Sequence, residues 1–423
     1  LLFIMRLTTI QLEMAIQAIR KILPLNFPAD ILMRGFFREN PMLGHNDRAI
    51  IAEIVFGILR HKYFLDTLAE KATPRALLLA YLAKFQGINS RELISFATES
   101  EIKWLAHVKG AQIAMQPLAI QAELPQWLIE KLQTYLPDEE IFKLGVALQQ
   151  PAPLDLRVNT LLAKREEILT QLEQAEIKAN VMPYSPIGIR LAEKTAINQH
   201  PLFLEGKVEI QDESSQLSVY LLAPRRGEMI VDFCAGSGGK TLLIGALMQS
   251  HGRIYAFDVS DKRLNNLKPR LKRSGLSNIH PIRIDNENDL RVKRLAGKID
   301  RVLIDVPCSG LGTLRRNPDL KWRQSPESIE ELKIKQRAIL NAASKLLKPG
   351  GRIVYATCSL LPEENEEIVE SFLANHTQFI ALNCGELLAQ QKIPLNTGNY
   401  LQLSPANHHT DGFFAAALEL KKN

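Results

Sequence analysis

Four runs in the second half of the chain constrain the fold more than any other feature. Met229–Cys234, Arg253–Asp258, Ile299–Asp305 and Arg352–Cys358 are each largely apolar without strict alternation, as in strands covered on both faces. Helical segments lie between them. One is Pro326–Leu347, where Ser325 suits the N-cap and Pro326 the first turn. Strand, turn and helix in repetition specify a parallel sheet with helices on both faces. The expected fold class is α/β: a doubly wound, Rossmann-like domain over residues 226–423.

The first of these strands runs into Asp232-Phe233-Cys234-Ala235-Gly236-Ser237-Gly238-Gly239-Lys240-Thr241, which opens a helix. Glycines there let backbone approach a ligand closely. The next strand ends in Asp258, 22 residues beyond Gly236. An acid at that point can accept hydrogen bonds from both hydroxyls of a ribose, so the pair indicates a nucleoside-containing cofactor. A Walker A loop would need Gly where Cys234 stands. A dinucleotide site would need a third Gly where Thr241 stands. S-adenosylmethionine has no pyrophosphate to cradle and suits this loop best.

The loop has company. Asp305-Val306-Pro307-Cys308-Ser309-Gly310 follows one strand and Thr357-Cys358-Ser359 ends another. Functional residues of a doubly wound sheet gather at the carboxyl ends of its strands, so Cys308 and Cys358 can face one cleft. A single free Cys is more often a small buried hydrophobe. Two of them, each beside Ser at a strand end, point to chemistry. The chain has four cysteines and no C-x-x-C pair, which disfavours a structural zinc site or a disulfide framework. No metal is expected.

The remainder of the 423 residues reads differently. At roughly 150 residues per domain, two or three domains are expected. Residues 5–145 are helical in pattern, with Ile51, Ile54, Val55, Ile58 and Leu59 on one face. This region is either a packing or dimerisation domain or a nucleic-acid-binding bundle whose end carries Arg34, Arg38, Arg48, Arg60, His61 and Lys62. Residues 150–225 read as a small α+β module, with strands near 154–159, 181 and 188–191 and a helix over 166–175. The net charge, 52 − 46 = +6, permits a polyanionic partner. Two basic runs could meet it. Arg315-Arg316-Asn317-Pro318-Asp319-Leu320-Lys321-Trp322-Arg323 follows Cys308 and includes an aromatic for base stacking, so RNA contact is expected there. Lys262, Arg263, Lys268, Arg270, Lys272 and Arg273 form either a solvated helix face or a second contact. The first residues, Leu1 to Ile4 with Met5 as a candidate start, are too short an apolar run for a signal segment, and no window reaches the ~18 apolar residues of a membrane span. A cytoplasmic, monomeric protein with no membrane association is expected.

The motifs DFCAGSGGKT, AFDVS, DVPCSGLGTLRRNPDLKW and YATCSLLPEENE, with Asp411-Gly412-Phe413-Phe414, resemble those of the RNA cytosine-C5 methyltransferases of the Sun/Fmu and nucleolar-protein type. The resemblance covers roughly residues 150–420. Asp47-Arg48-Ala49 to Arg60 also resembles the RNA-binding bundle of the bacterial Sun/Fmu ribosomal RNA enzymes. The resemblance implies a methyltransferase domain with S-adenosylmethionine as cofactor, held by Cys234, Ala235, Gly236, Ser237, Gly238, Gly239, Lys240, Asp258, Asp285 and Asp305. It implies Cys358 as the nucleophile that adds to C6 of cytosine, Asp305 as the contact to the N3/N4 edge, and Cys308 in release. A DNA-type arrangement, in which Cys308 attacks, is the alternative. Lys240 would hold Asp305 or steady the cofactor. Cys234 would also be structural, and Cys384 without a role. The family loop C-A-A-P-G-G-K is altered here to Ala235-Gly236-Ser237, and cofactor binding should survive because the glycines and Lys240 are kept. The substrate implied is unpaired RNA, small-subunit ribosomal RNA before transfer RNA, since a stacked base hides C5 and C6. The small module would help to grip it. Competing classes are a non-catalytic RNA-binding factor and an NTPase, the latter opposed by Cys234.

Overall fold

A computed structural model describes residues 7–193 and 195–422. Met5 and the apolar residues before it lie outside the described residues. The chain divides into two compact units. One holds the chain up to Pro151 together with Thr313–Pro326; the other holds Ala152–Gly312 and Glu327–Asn423.

The first unit is helical. Thr9–Ile22 starts from a reciprocal cap: the Thr8 hydroxyl accepts from the Gln11 amide at 3.2 Å, and the Gln11 side chain accepts from the Thr8 amide at 3.0 Å. Pro74–Lys84 has Thr73 as N-cap and Pro74 in its first turn. Leu77 to Ala83 are all buried, which makes this the central helix of the bundle. Ile51, Ile54, Val55, Ile58 and Leu59 of His45–Arg60 are buried with it, as their spacing requires.

Thr313–Pro326 completes this unit. The Asp319 carboxylate accepts from the Ala29 amide at 3.1 Å, at the start of the helix Ala29–Glu39. Arg60 donates to the Arg315 carbonyl at 2.9 Å, and Lys321 donates to the Arg60 carbonyl at 2.8 Å. Trp322 packs edge-on against Tyr63, ring centroids 5.4 Å apart. Lys321 also lies 3.9 Å from the fully buried carboxylate of Glu123, which accepts from the Tyr63 and Phe64 amides. These contacts give much of the 315–323 run, expected as an RNA-contacting loop, a structural role within the bundle. Arg315, Asp319 and Lys321 are buried, whereas Arg316, Trp322 and Arg323 are half-buried, with Trp322 packed against Tyr63. Nor do the six expected basic residues form one exposed cluster. Arg60 is bound to Arg315, and His61 stacks on Phe85 at 3.9 Å. Arg34 is exposed but paired with Asp30, and Lys62 is paired with Asp66.

The second unit contains two sheets. β1 (Leu154–Val158), β2 (Ala179–Val181), β3 (Gly188–Leu191) and β4 (Val208–Ile210) form an antiparallel sheet in the order β2-β3-β1-β4, with the helix Arg165–Gln174. The larger sheet contains β5 (Met229–Asp232), β6 (Arg253–Asp258), β7 (Ile279–Arg283), β8 (Ile299–Asp305), β9 (Leu347–Thr357), β10 (Phe379–Leu382), β11 (Leu401–Leu403) and β12 (Phe413–Leu420). Its order is β10-β12-β9-β8-β5-β6-β7, with β11 beside β12. β5 to β9 run parallel, and β12 enters antiparallel to β9 and β10. This is the doubly wound α/β architecture expected. Ile230, Leu303 and Val354 enter one core, and their neighbours Val231, Ile304 and Tyr355 enter another on the opposite face. Burial on both faces explains the unbroken apolar runs. No helix among the described residues is long and apolar enough to cross a membrane.

Candidate active site

β6 and β8 lie on opposite sides of β5, so the strand order reverses there. In such sheets the crevice beyond the carboxyl ends at the reversal is where ligands bind. The loop after β5 is pinned to both neighbours. The Phe233 amide donates to the Leu303 carbonyl and the Ala235 amide to the Phe257 carbonyl, each at 2.8 Å. The Gly236 amide donates to Asp258 at 2.8 Å, and the second oxygen of that carboxylate accepts from the Ser260 amide, also at 2.8 Å. Asp258 thus shapes the loop and keeps free lone pairs toward the cavity. Gly238 has φ +81°, and a Cβ there would lie 2.1 Å from Leu267, so this position demands glycine.

Two arginines hold the far side of the loop. Arg270 donates to the Ser237 carbonyl at 2.6 Å and Arg157 to the Gly239 carbonyl at 2.7 Å. Arg157 also donates to Gln211, while Glu209 receives Arg270 and Arg273. Arg157, Glu209 and Gln211 belong to the smaller sheet and its edge, so that sheet braces the glycine-rich loop after β5. Burial lowers the Arg157 guanidinium to about 10, which leaves it charged at neutral pH. The basic run of residues 262–273 therefore divides: Arg270 and Arg273 are structural ties, and Lys262, Arg263, Lys268 and Lys272 stay exposed.

All the expected site residues except Gly238 line one cavity of about 720 Å³, within the usual size of a small-molecule site. Asp285 stands at its margin, with an exposed side chain 3.2 Å from Arg283. Cys234 lines the cavity, and burial pushes its thiol well above the ordinary value. Cys384 is buried in the core away from the cavity. Asp232, not among the expected site residues, accepts from the Thr241 hydroxyl at 2.6 Å. Burial pushes it up to about 7, and its other oxygen is buried without a hydrogen-bond partner.

Lys240 donates to Asp305 at 2.7 Å. Burial opposes its charge, but Asp305, by charge and hydrogen bond, with Cys358 and Asp232 adding to the field, holds the ammonium above its usual range. Of the two roles left open for Lys240, holding Asp305 is the one the geometry displays. The sulfurs of Cys308 and Cys358 lie 3.3 Å apart. Hydrogen bonding to Cys358 first, and burial second, holds the Cys308 thiol well above its ordinary value. At this distance either sulfur can donate to the other. Behind the sulfurs, Gly312 donates to the Cys358 carbonyl at 2.8 Å, and a Cβ on Gly312 would strike the Gly412 carbonyl at 2.1 Å. The Asp411–Phe414 segment is thereby packed against both cysteine loops.

Arg157, Gln211 and Glu209 were not legible as site residues because no local motif marks them, and Arg270 lay in a basic run that read as a helix face or second contact; the partners of all four are distant in sequence. Among the described residues no group of three or more His, Cys, Asp or Glu is placed to hold a metal ion.

Residues 219–419 match the family described as 16S rRNA methyltransferase RsmB/F, and residues 124–198 match its ferredoxin-like domain. The chain is 35% identical to the probable ribosomal RNA small subunit methyltransferase B of Synechocystis, over 92% of this chain and 95% of that one. It is 36% identical to the ribosomal RNA small subunit methyltransferase B of Yersinia pseudotuberculosis, over 89% and 91%. The crystal structure titled PH0851 superposes with a TM-score of 0.81 at 26% identity, covering 98% of this chain and 99% of the other.

Proposed function

We propose a function for a chain that belongs to the 16S rRNA methyltransferase RsmB/F family: it methylates C5 of a cytosine in small-subunit ribosomal RNA through a Cys358 adduct. S-adenosylmethionine is the cofactor, and when bound it supplies an electrophilic methyl group on a sulfonium. The cavity residues fit it. Asp258 ends β6 with lone pairs to spare for a ribose, and Gly236 lines the cavity with nothing within 4 Å of where a Cβ would stand.

The observation that carries the reading is the 3.3 Å contact of Cys308 and Cys358 in the cavity that also holds the Lys240–Asp305 pair. Cytosine C5 is a weak nucleophile. Addition of the Cys358 thiolate to C6 makes the ring an enamine, whose C5 can attack a methyl group; one hard step becomes two easier ones. Lys240, paired with Asp305, lines the same cavity as Cys358. Asp305, steadied by Lys240, is the carboxylate available to the N3/N4 edge of the base. After transfer a base, water in the cavity or the Cys308 sulfur, takes the C5 proton; the C5–H electron pair forms the C5=C6 double bond, and the C6–S pair returns to Cys358. Cys308 is the group beside that sulfur and is assigned to release. The base must enter unpaired and unstacked.

The test is methylation of ribosomal RNA from a strain lacking the enzyme, with labelled cofactor and mapping of 5-methylcytosine. Wild type should transfer label to one site, Cys358→Ala should not, and Cys308→Ala should remain covalently attached to RNA. A Cys308→Ala protein that forms no adduct, with Cys358→Ala still forming one, would reverse the two roles. Cofactor binding without transfer to any RNA would support a binding factor instead.

A further inference from the structure

Glu364 is fully buried and does not line the cavity. Its carboxylate nevertheless joins the two cysteine loops. One oxygen accepts from the Ser309 amide at 2.9 Å and from Gln336 at 2.9 Å. The other accepts from the Ser309 hydroxyl at 2.6 Å and from the Ser359 hydroxyl. Ser309 follows Cys308, and Ser359 follows Cys358. The Gln336 amide also donates to the Pro307 carbonyl at 3.0 Å, so Cys308 is gripped on both sides. Glu364 is itself anchored, because its main-chain carbonyl accepts from the hydroxyl of Tyr355 in β9 at 2.6 Å. A buried carboxylate with four donors is costly to place and rigid once placed.

Resting on the cysteine reading above, we infer that Glu364 is a positioning residue for methyl transfer: it locks the Cys308 and Cys358 loops into one piece and so sets the spacing of the two sulfurs. Its charge also adds to the forces that keep the proton on Cys308. Without the clamp Cys358 still reaches C6, because its strand is intact, but Cys308 is no longer held where release requires it. The consequence is selective. Adduct formation is spared, and adduct breakdown slows.

Glu364→Gln tests this, since it keeps the volume and one acceptor. Ser359→Ala removes a single donor and serves where the first variant folds poorly. Each is compared with wild type for S-adenosylhomocysteine affinity, turnover on ribosomal RNA, and the fraction of enzyme held on RNA in a denaturing gel. The expected result is cofactor affinity within about twofold, turnover reduced about 10- to 100-fold, as a displacement of roughly 1 Å produces, and persistent RNA adduct. Wild-type turnover with no retained adduct in both variants overturns the inference. So does a parallel loss of cofactor affinity and melting temperature, which would mark Glu364 as merely structural. Cys358→Ala and Cys308→Ala run alongside. If they behave as proposed while the Glu364 variant is normal, only this inference fails; if Cys358→Ala still transfers methyl groups, the underlying reading fails.

Discussion

Arg157 of β1 donates to the carbonyl of Gly239 at 2.7 Å, tying the smaller sheet to the loop where the cofactor is proposed to sit. A carbonyl in the first turn of a helix ordinarily looks down the helix, and here a charged donor reaches it from a second sheet. Hydrogen bonds from charged groups contribute about 1.5–3 kcal/mol. Arg157→Met is therefore expected to weaken S-adenosylhomocysteine binding by roughly 10- to 100-fold, with RNA affinity nearly unchanged. Calorimetric titration of cofactor and RNA separately decides it. Equal loss of both would place Arg157 in general stability instead.

Two glycines of the loop should respond differently. Gly236 has φ +56° with open space where a Cβ would stand. Its cost is backbone strain alone, about 1–2 kcal/mol for an ordinary residue and less for Asn. Gly238 adds a collision with Leu267 at 2.1 Å. Gly236→Asn should bind cofactor within several-fold of wild type, whereas Gly238→Ala should lose more than tenfold. The same titration reads both.

His61 gives the helical unit an acid sensitivity. Burial, with the charges of Lys321 and Arg60, lowers it from 6.5 to about 3. The folded chain leaves it neutral, and the unfolded chain protonates it near pH 6.5. Its contribution is thus complete above pH 6.5 and lost as pH falls from there toward 3, at up to about 1.4 kcal/mol per unit. Glu123, pushed upward by burial, works in the opposite sense and is common to wild type and variant. His61→Phe keeps the stack on Phe85 and should flatten the loss. Urea denaturation at pH 7, 6 and 5 would show parallel curves if the imidazole is solvated.

Lys321 and Glu123 form the buried charge pair of the same unit. Removing one partner leaves the other charge stranded, typically at a cost of 3–5 kcal/mol. Lys321→Met should lower stability by about that amount, and Lys321→Met with Glu123→Gln should recover part of it. A single-variant loss under about 1 kcal/mol would mean that water reaches the pair.

Parts of this architecture were legible for plain reasons. β5, β6, β8 and β9 announce themselves because both faces are buried. β7 does not, since Pro281 and His280 interrupt it at the sheet edge, where proline is tolerated. β12 reads Phe-Phe-Ala-Ala-Ala-Leu-Glu-Leu, a helix former by propensity that becomes a strand because β9 and β10 flank it. The glycine-rich loop and the cysteine pair were visible as local motifs. The burial of Arg315 and Lys321 was not, because charged residues in a run look like surface until their distant partners are known. Glu364, inside the YATCSLLPEENE run, was hidden for a related reason: its role depends on Ser309 and Gln336, which lie far from it in sequence.

The helical unit is discontinuous, and synthesis runs in one direction. When residue 151 leaves the ribosome, the partner for the Ala29 amide has not yet been made, and Glu123 lacks its cation. Another 326 − 151 = 175 residues must follow, which at ~5–20 residues per second takes on the order of ten seconds or more. The nascent bundle waits through that interval with a vacant slot and a buried acid unmatched. Its last piece arrives only after β8 and the Cys308 loop have been made, so the helical unit finishes folding only once much of the catalytic half exists.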